Sequence, residues 1–302
     1  MTAGHLQRIT AIALAAAIAA LACVSSSVPE ARPPALMPAP PHASALVDPA
    51  GCEADSPGGT VRDLAATDAR GRPRQFDLHV APGYDRRRPA SLIFVFHAAS
   101  GNTADPVGVA FRQVLADAGD SALIVVPQGL PFQSYGVGWD QSCQGDDMAL
   151  YDAMVRAVSR RYCVDPHRVF ATGFSWGADM TNALACCRGD TLRGVAPFSG
   201  AETDYNPSCP TSRYPAARLR YGTVKGAGGD GGYSLAQFRA TTSFFRQAQS
   251  CAEAADPVEP SPCRAYRACK QPVLECVFPN MGHTTPDAAE IAATWKFWRE
   301  LP

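Results

Sequence analysis

Residues 173–177 read Gly-Phe-Ser-Trp-Gly and follow Arg-Val-Phe-Ala-Thr at 168–172. A β-branched and aromatic run thus ends in a Gly-x-Ser-x-Gly turn, and residues 176–187 can continue as a helix. This strand–turn–helix setting forces a serine onto a sharp bend with its hydroxyl exposed. Glycine on either side lets strand and helix approach more closely than a Cβ permits. Such a serine can attack an acyl carbon, but only with a base to take its proton and a third group to orient that base. A bare Gly-x-Ser-x-Gly is a weak signal; the strand before it, the helix after it and the position of the histidines strengthen it.

The chain has six histidines. In a strand–turn–helix setting of this kind the order is serine, acid, histidine. Only His283 follows Ser175, in Asn-Met-Gly-His-Thr-Thr-Pro at 280–286, between a strand-like run and the last helix-like run. His5 and His42 lie outside the expected domain, His79 falls on a strand, and His167 sits in an Asp-Pro-His-Arg turn. The acid should lie between Ser175 and His283, after a strand. Asp230, in Gly-Ala-Gly-Gly-Asp-Gly-Gly-Tyr at 226–233, is the first choice and Asp204 the second. Asp179 falls on the nucleophile helix, and Asp190 and Asp256 read as surface turn residues. Attack also builds negative charge on the substrate oxygen, which needs preorganised N–H donors. The backbone N–H of Trp176 is one candidate. The other comes from the loop His-Ala-Ala-Ser-Gly at 97–101, at Ala98 or Ala99, with His97 as a brace of that loop.

The elements that must hold these groups alternate. Residues 75–80, 91–96, 122–126, 169–172, 194–198, 218–221 and 273–278 read as strands. Residues 106–118, 146–161, 176–187, 235–248 and 286–299 read as helices. The runs at 91–96 (Ser-Leu-Ile-Phe-Val-Phe) and 122–126 are apolar throughout, as suits strands buried on both faces of a parallel sheet. Alternating strands and helices predict an α/β fold, a mostly parallel sheet with helices on both faces.

The whole chain of 302 residues is 46% hydrophobic and 18% charged, with a net charge of −1. That is a globular composition with no basic face for nucleic acid. No Cys/His cluster with metal spacing and no phosphate-cradling glycine loop stands out, so neither metal nor cofactor is expected. Arg8 precedes an apolar, Ala-rich run at 9–22, too short to span a bilayer comfortably but suited to a signal-peptide core. The run ends Ala-Leu-Ala-Cys, so residues 1–23 are read as a signal peptide. Cys23 stands where a bacterial lipoprotein carries its lipidated residue; ordinary cleavage near Ala22 or Ser25 is the alternative. Residues 24–50, rich in Pro and Ala, read as a flexible linker, and 51–302 as one catalytic domain, expected to be monomeric. Of eleven cysteines, setting Cys23 aside leaves an even ten, which predicts up to five disulfides in an exported chain. Cys186 and Cys187 need different partners. For Cys251, Cys263, Cys269 and Cys276 a nested pairing, outer with outer and inner with inner, is expected.

Several motifs, in order, resemble secreted α/β-hydrolase esterases, the group that includes feruloyl esterases and polyhydroxybutyrate depolymerase-like proteins. The matching pieces are Phe-Val-Phe-His at 94–97, Trp139-Asp140, Tyr-Cys-Val-Asp-Pro-His-Arg-Val-Phe-Ala-Thr-Gly-Phe-Ser-Trp-Gly at 162–177, and Gly-His-Thr-Thr-Pro at 282–286. The resemblance implies an α/β-hydrolase fold with Ser175 as nucleophile and His283 as base. It implies an ester substrate of cell-wall polysaccharide, feruloyl or acetyl, with a polyhydroxyalkanoate polyester second. The sequence departs from the group's pattern at three places: Ala98 replaces a glycine after His97, Ala178 a glycine after Gly177, and Lys225 stands where Gly-Thr-x-Asp would place the acid. Lys225 motivates an alternative from another class, a catalytically weak glycan-binding protein on a hydrolase scaffold.

Overall fold

The computed structural model describes residues 43–132, 136–201, 209–224, 229–230 and 232–301. Cys23, Asp204 and Lys225 lie outside the described residues. The strands are β1 Gly59–Thr67, β2 Pro73–Val80, β3 Ala90–Phe96, β4 Ala122–Pro127, β5 Leu130–Pro131, β6 Val137–Gly138, β7 Val164–Phe174, β8 Gly194–Phe198, β9 Ala216–Thr223, β10 Ala255–Val258, β11 Cys263–Tyr266 and β12 Val273–Pro279. The helices are α1 Ala43–Leu46, α2 Pro106–Ala118, α3 Asp146–Ser159, α4 Trp176–Cys187, α5 Leu235–Ala248 and α6 Ala288–Arg299.

Apolar side chains at consecutive strand positions point to opposite faces, so both faces need cover. That is how β3 is used. Leu92, Phe94 and Phe96 pack with Met148, Tyr151 and Met154 of α3 and Met180 and Leu184 of α4. Ile93 and Val95 pack with Phe111 and Leu115 of α2 and Ile291, Trp295 and Trp298 of α6. Burying each such side chain contributes about 1.5–3 kcal/mol, so this strand anchors both layers. The large sheet runs β1-β2-β4-β3-β7-β8-β9-β12-β11-β10. Its centre, β4-β3-β7-β8-β9-β12, is parallel. The flanks β1-β2 and β12-β11-β10 are antiparallel.

The helices end where local chemistry ends them. Asp105 caps α2 by accepting from the N–H of Val107 and Gly108, and Gly119 closes it in the left-handed region at φ 63°. Capping boxes open α5 (Ser234 with Gln237) and α6 (Asp287 with Glu290).

Three differences from the sequence reading have physical causes. First, β1, β10 and β11 are not apparent in the pattern. β1 is largely exposed and carries a register shift between Val61 and Leu64, so it has neither a buried run nor a clean alternation. Second, the pairing of the four C-terminal cysteines is interlaced, not nested: Cys251–Cys269 and Cys263–Cys276. The β11–β12 register places Cys263 directly opposite Cys276, and that fixes the partner. Third, Asp190 is buried, accepting from the N–H and hydroxyl of Ser212, rather than lying in a solvated turn. The remaining bridges are Cys52–Cys163, Cys143–Cys187 and Cys186–Cys209, so the adjacent pair does take separate partners. Upstream of residue 51, Leu46 of α1 is already part of the core.

Candidate active site

β7 delivers Phe174 and then turns. Ser175 takes φ 55° and ψ −123° before α4 begins at Trp176. A left-handed φ on a non-glycine residue costs on the order of 1–3 kcal/mol and persists only where the surroundings enforce it. Here they do. A Cβ on Gly177 would run into the carbonyl oxygen of Phe96, and one on Gly173 would stand 2.5 Å from Gly177 and from the same Phe96 oxygen. The two glycines therefore let α4 press against β3 and β7, which leaves the serine at the apex of the bend.

The loop after β12 brings His283 to it. The imidazole Nε2 lies 2.8 Å from Ser175 Oγ, and Nδ1 lies 3.2 Å from Asp230 Oδ2. Asp230 is fully buried. Burial pushes its carboxyl toward the neutral form, but His283, the N–H of Gly232, the Ser199 hydroxyl and the N–H of Tyr233 outweigh it and hold the group below the ordinary carboxylate value. The carboxylate is thus ready to accept from Nδ1–H, which leaves Nε2 free to accept from the serine. Three residues separated by 53 and 108 positions converge because the strands that precede them, β7, β9 and β12, are parallel and end on the same side.

The loop after β3 is tightly braced. His97 is fully buried; its Nδ1 lies 2.7 Å from the carbonyl oxygen of Ala98, and its Nε2 accepts from the N–H of Gly129 at 2.9 Å. Burial lowers its pKa, consistent with a neutral ring that both donates and accepts. Trp139 Nε1–H donates to the His97 carbonyl at 2.8 Å. Asp105 receives a backbone hydrogen bond from Ala98, so the Ala98 N–H is turned inward. Ala99, next along, is exposed.

The Trp176 side chain reaches across to β6. Its ring lies on the backbone of Gly138 in β6, where no Cβ could fit, and it meets the edge of Phe132 at 5.7 Å between centroids. Phe132 is 39% exposed. The two rings pack edge to face, and Trp176 is the residue that follows Ser175.

Two groups at the site are not evident from sequence. Arg220 of β9 is buried and bidentate to Glu290 of α6 at 2.6 and 3.1 Å. Its other donors reach the Thr284 carbonyl at 2.8 Å and the Ser199 hydroxyl at 2.9 Å. It thereby ties the loop carrying His283 to the hydroxyl that supports Asp230. The two arginines inside an otherwise apolar central-strand run, Ala-Ala-Arg-Leu-Arg-Tyr at 216–221, are the signal that could have pointed to it. The second group is Asp179, which accepts from the Tyr233 hydroxyl at 2.6 Å and from the Ala201 N–H at 3.0 Å. Of the other histidines, His79 is buried against Arg112 and Thr60. Of the other acids, Asp256 pairs with Arg267 on the surface. Cys143, Cys186 and Cys187 lie close together, but each is already in a disulfide.

A central parallel sheet covered on both faces, with a serine on a strained bend and a histidine after the last parallel strand, defines an α/β-hydrolase. Solved structures share this fold. An acetyl xylan esterase from Aspergillus awamori superposes with a TM-score of 0.64 over 80% of this chain and 99% of its own, at 14% identity. Esterase PE8 does so with a TM-score of 0.53 over 79% of this chain and 100% of its own, also at 14% identity. No family model matches, but curated sequences do. A probable feruloyl esterase C of Aspergillus flavus is 30% identical over 239 residues, 74% of this chain and 83% of that protein. Feruloyl esterase D of Neurospora crassa is 28% identical over 262 residues, 78% of this chain and 82% of its own length. Feruloyl esterase C of Emericella nidulans is 39% identical over a shorter stretch, 131 residues, 42% of this chain and 46% of that one. The chain belongs to the feruloyl esterase family and is a carboxylic ester hydrolase.

Proposed function

We propose that this protein is a serine esterase that releases feruloyl and related aromatic acyl groups from plant cell-wall polysaccharide through an acyl-enzyme. The observation that carries this reading is the line Ser175 Oγ–His283 Nε2 at 2.8 Å and His283 Nδ1–Asp230 Oδ2 at 3.2 Å. In the forward step His283 accepts the Ser175 proton as Oγ attacks the ester carbon. Asp230 stabilises the imidazolium and fixes its tautomer. Backbone N–H groups of Trp176 and Ala99 receive the oxyanion; Ala98, the other loop candidate, is the weaker choice because its N–H serves Asp105. His283 then returns the proton to the leaving alcohol, which departs. Water, activated by the same imidazole, attacks the acyl-enzyme and frees the acid.

An aromatic acyl group is favoured over a short one by the Trp176–Phe132 ring pair, which starts at the residue after the nucleophile, and by the relatives named feruloyl esterases. Asp230 lying against His283 supports turnover over a glycan-binding scaffold that has lost its acid. Five disulfides support a site of action outside the cytoplasm, reached through residues 1–23 as export signal with 24–50 as tether. Cys23 is the candidate lipid anchor. Among the described residues no helix is long and apolar enough to cross a membrane.

A fluorophosphonate probe tests the mechanism: it should label the wild type and not Ser175→Ala, and equal labelling of both rules the nucleophile out. A panel of methyl ferulate, acetylated xylan and hydroxybutyrate oligomers tests the substrate. Preference for the last would replace this reading with a polyester depolymerase.

A further inference from the structure

In this chain Asp230 follows four residues after Gly226, within Gly-Ala-Gly-Gly-Asp-Gly-Gly-Tyr at 226–233, and glycine-rich backbone has many conformations to lose. Something must hold Asp230 against His283. Tyr233 is placed to do so. Its N–H donates to Asp230 Oδ1 at 3.1 Å, beside that of Gly232 at 3.0 Å. Its hydroxyl crosses to the first turn of α4 and donates to Asp179 Oδ2 at 2.6 Å, while lying within hydrogen-bonding reach of Ser175. The Tyr233 ring sits 5.8 Å from that of His283. One residue therefore touches the acid through its backbone and the nucleophile helix through its side chain. Asp179 is 6% exposed and its second oxygen is held by Ala201 N–H at 3.0 Å, so its carboxyl group has a fixed direction.

We propose that Tyr233 and Asp179 form a clasp that positions the acid loop: the phenol, donating to Asp179, keeps Asp230, His283 and Ser175 in line. This rests on the triad reading above. Tyr233 and Asp179 are positioning residues on this view. Facing Asp179 among the described residues are Tyr233 from the acid loop and His283 from the loop after β12, with Asp230 next to Tyr233. A charged acceptor makes a hydrogen bond roughly twice as strong as a neutral one. Burial, the largest influence on Asp179, raises its pKa to about 7 against the hydrogen bonds from Tyr233 and Ala201 and the charge of His283. The clasp therefore tightens as pH rises through neutrality.

The test uses the full chain and kcat/KM on methyl ferulate at pH 5 and pH 8, with fluorophosphonate labelling rates alongside. Asp179→Asn keeps an acceptor but never a charge. It should match the wild type at pH 5 and fall about three- to tenfold below it at pH 8, with the loss in kcat rather than KM. Tyr233→Phe should lose about tenfold in kcat at pH 8. Asp179→Asn within twofold of the wild type at both pH values overturns the clasp, as does Tyr233→Phe within twofold of the wild type. If Tyr233→Phe does not fold, the kcat of Asp179→Asn at pH 8 decides alone. Ser175→Ala separates the two levels of inference. Labelling of that variant at the wild-type rate sinks the triad itself; an inert Ser175→Ala with wild-type-like clasp variants sinks only the clasp.

Discussion

Asp230 and Asp179 are buried carboxyl groups near the same imidazole, yet their surroundings drive them apart. Asp230 collects enough donors to stay below the usual carboxylate range despite burial, whereas burial dominates at Asp179 and lifts it to about 7. Sign matters for stability. Between the unfolded value of 3.8 and about 7, the native state keeps a proton on Asp179 that the unfolded chain has released. Stability contributed by this group is therefore full below that window and is lost as pH rises through it. Asp179→Asn removes the effect. In urea melts the variant should gain on the wild type from pH 4 to pH 8, ending roughly 1–3 kcal/mol more stable. A wild type that gains on the variant as pH rises would contradict the assignment. A position that weakens the fold while sharpening the site is the trade expected where activity needs a charge in an apolar place. Gly232 offers a second check at this scale. A Cβ there would stand 2.7 Å from His283 Nδ1, so Gly232→Ala must push the imidazole off line. Its kcat should fall at least about tenfold, since small misplacements of a base are costly, while its melting temperature stays near that of the wild type. Unchanged kcat would mean that the loop absorbs the methyl group.

A buried ion pair ties together the elements around Ser175, His283 and Asp230. Arg220 joins β9, α6, the loop carrying His283 and the Ser199 hydroxyl, so its removal does two separable things. It leaves the carboxylate of Glu290, 9% exposed, without its partner, which typically costs about 3–5 kcal/mol. It also frees the Thr284 carbonyl and with it the histidine loop. Arg220→Met should therefore lower the denaturation midpoint strongly. Arg220→Met with Glu290→Leu should recover much of the stability, because neither charge is stranded, but not the kcat. Recovery of both would show that the pair serves stability alone. The same strand explains what the sequence conveys and what it withholds. Continuous apolar runs such as β3 and β4 announce themselves, because both faces are buried. The order serine–acid–histidine singles out His283 because no other histidine follows Ser175. Arg218 and Arg220 break the apolar run of β9, and nothing local says which distant residues compensate them. Asp179 looks like an ordinary first-turn acid on a helix until Tyr233 is brought across from 54 residues away. The C-terminal disulfide pairing was equally hidden: sequence proximity favours nesting, whereas strand register decides. β1 lacked any signal of its own, since an exposed, bulged edge strand obeys neither the apolar-run nor the alternating pattern.

Across the whole molecule, the disulfides divide into long and short closures, and chain entropy predicts that they are not equivalent. Cys52–Cys163 spans 111 residues and fastens the segment ahead of β1 to the start of β7; Cys263–Cys276 spans 13 and staples one hairpin. Restricting the unfolded chain is worth more for larger loops, roughly 3 kcal/mol near 15 residues and roughly 4.7 near 100. The Cys52→Ala/Cys163→Ala double variant should thus lose more stability than Cys263→Ala/Cys276→Ala, by roughly 1–2 kcal/mol. Two packing facts act on that margin. Gly51, beside Cys52, lies so close to the Tyr162 and Ser159 carbonyls that no side chain fits, so close packing as well as the bridge holds the segment ahead of β1. Cys263 Sγ accepts from buried Arg218 at 3.7 Å, so removing the short bridge also disturbs a buried cation and narrows the difference. Neither bridge touches Ser175, His283 or Asp230, and kcat at a temperature where all variants are folded should stay within about twofold of the wild type. Urea titration of the two double variants, each with its kcat on methyl ferulate, measures both quantities. A larger loss from the short bridge would show that native contacts at Arg218, rather than freedom in the unfolded chain, govern what these cross-links contribute.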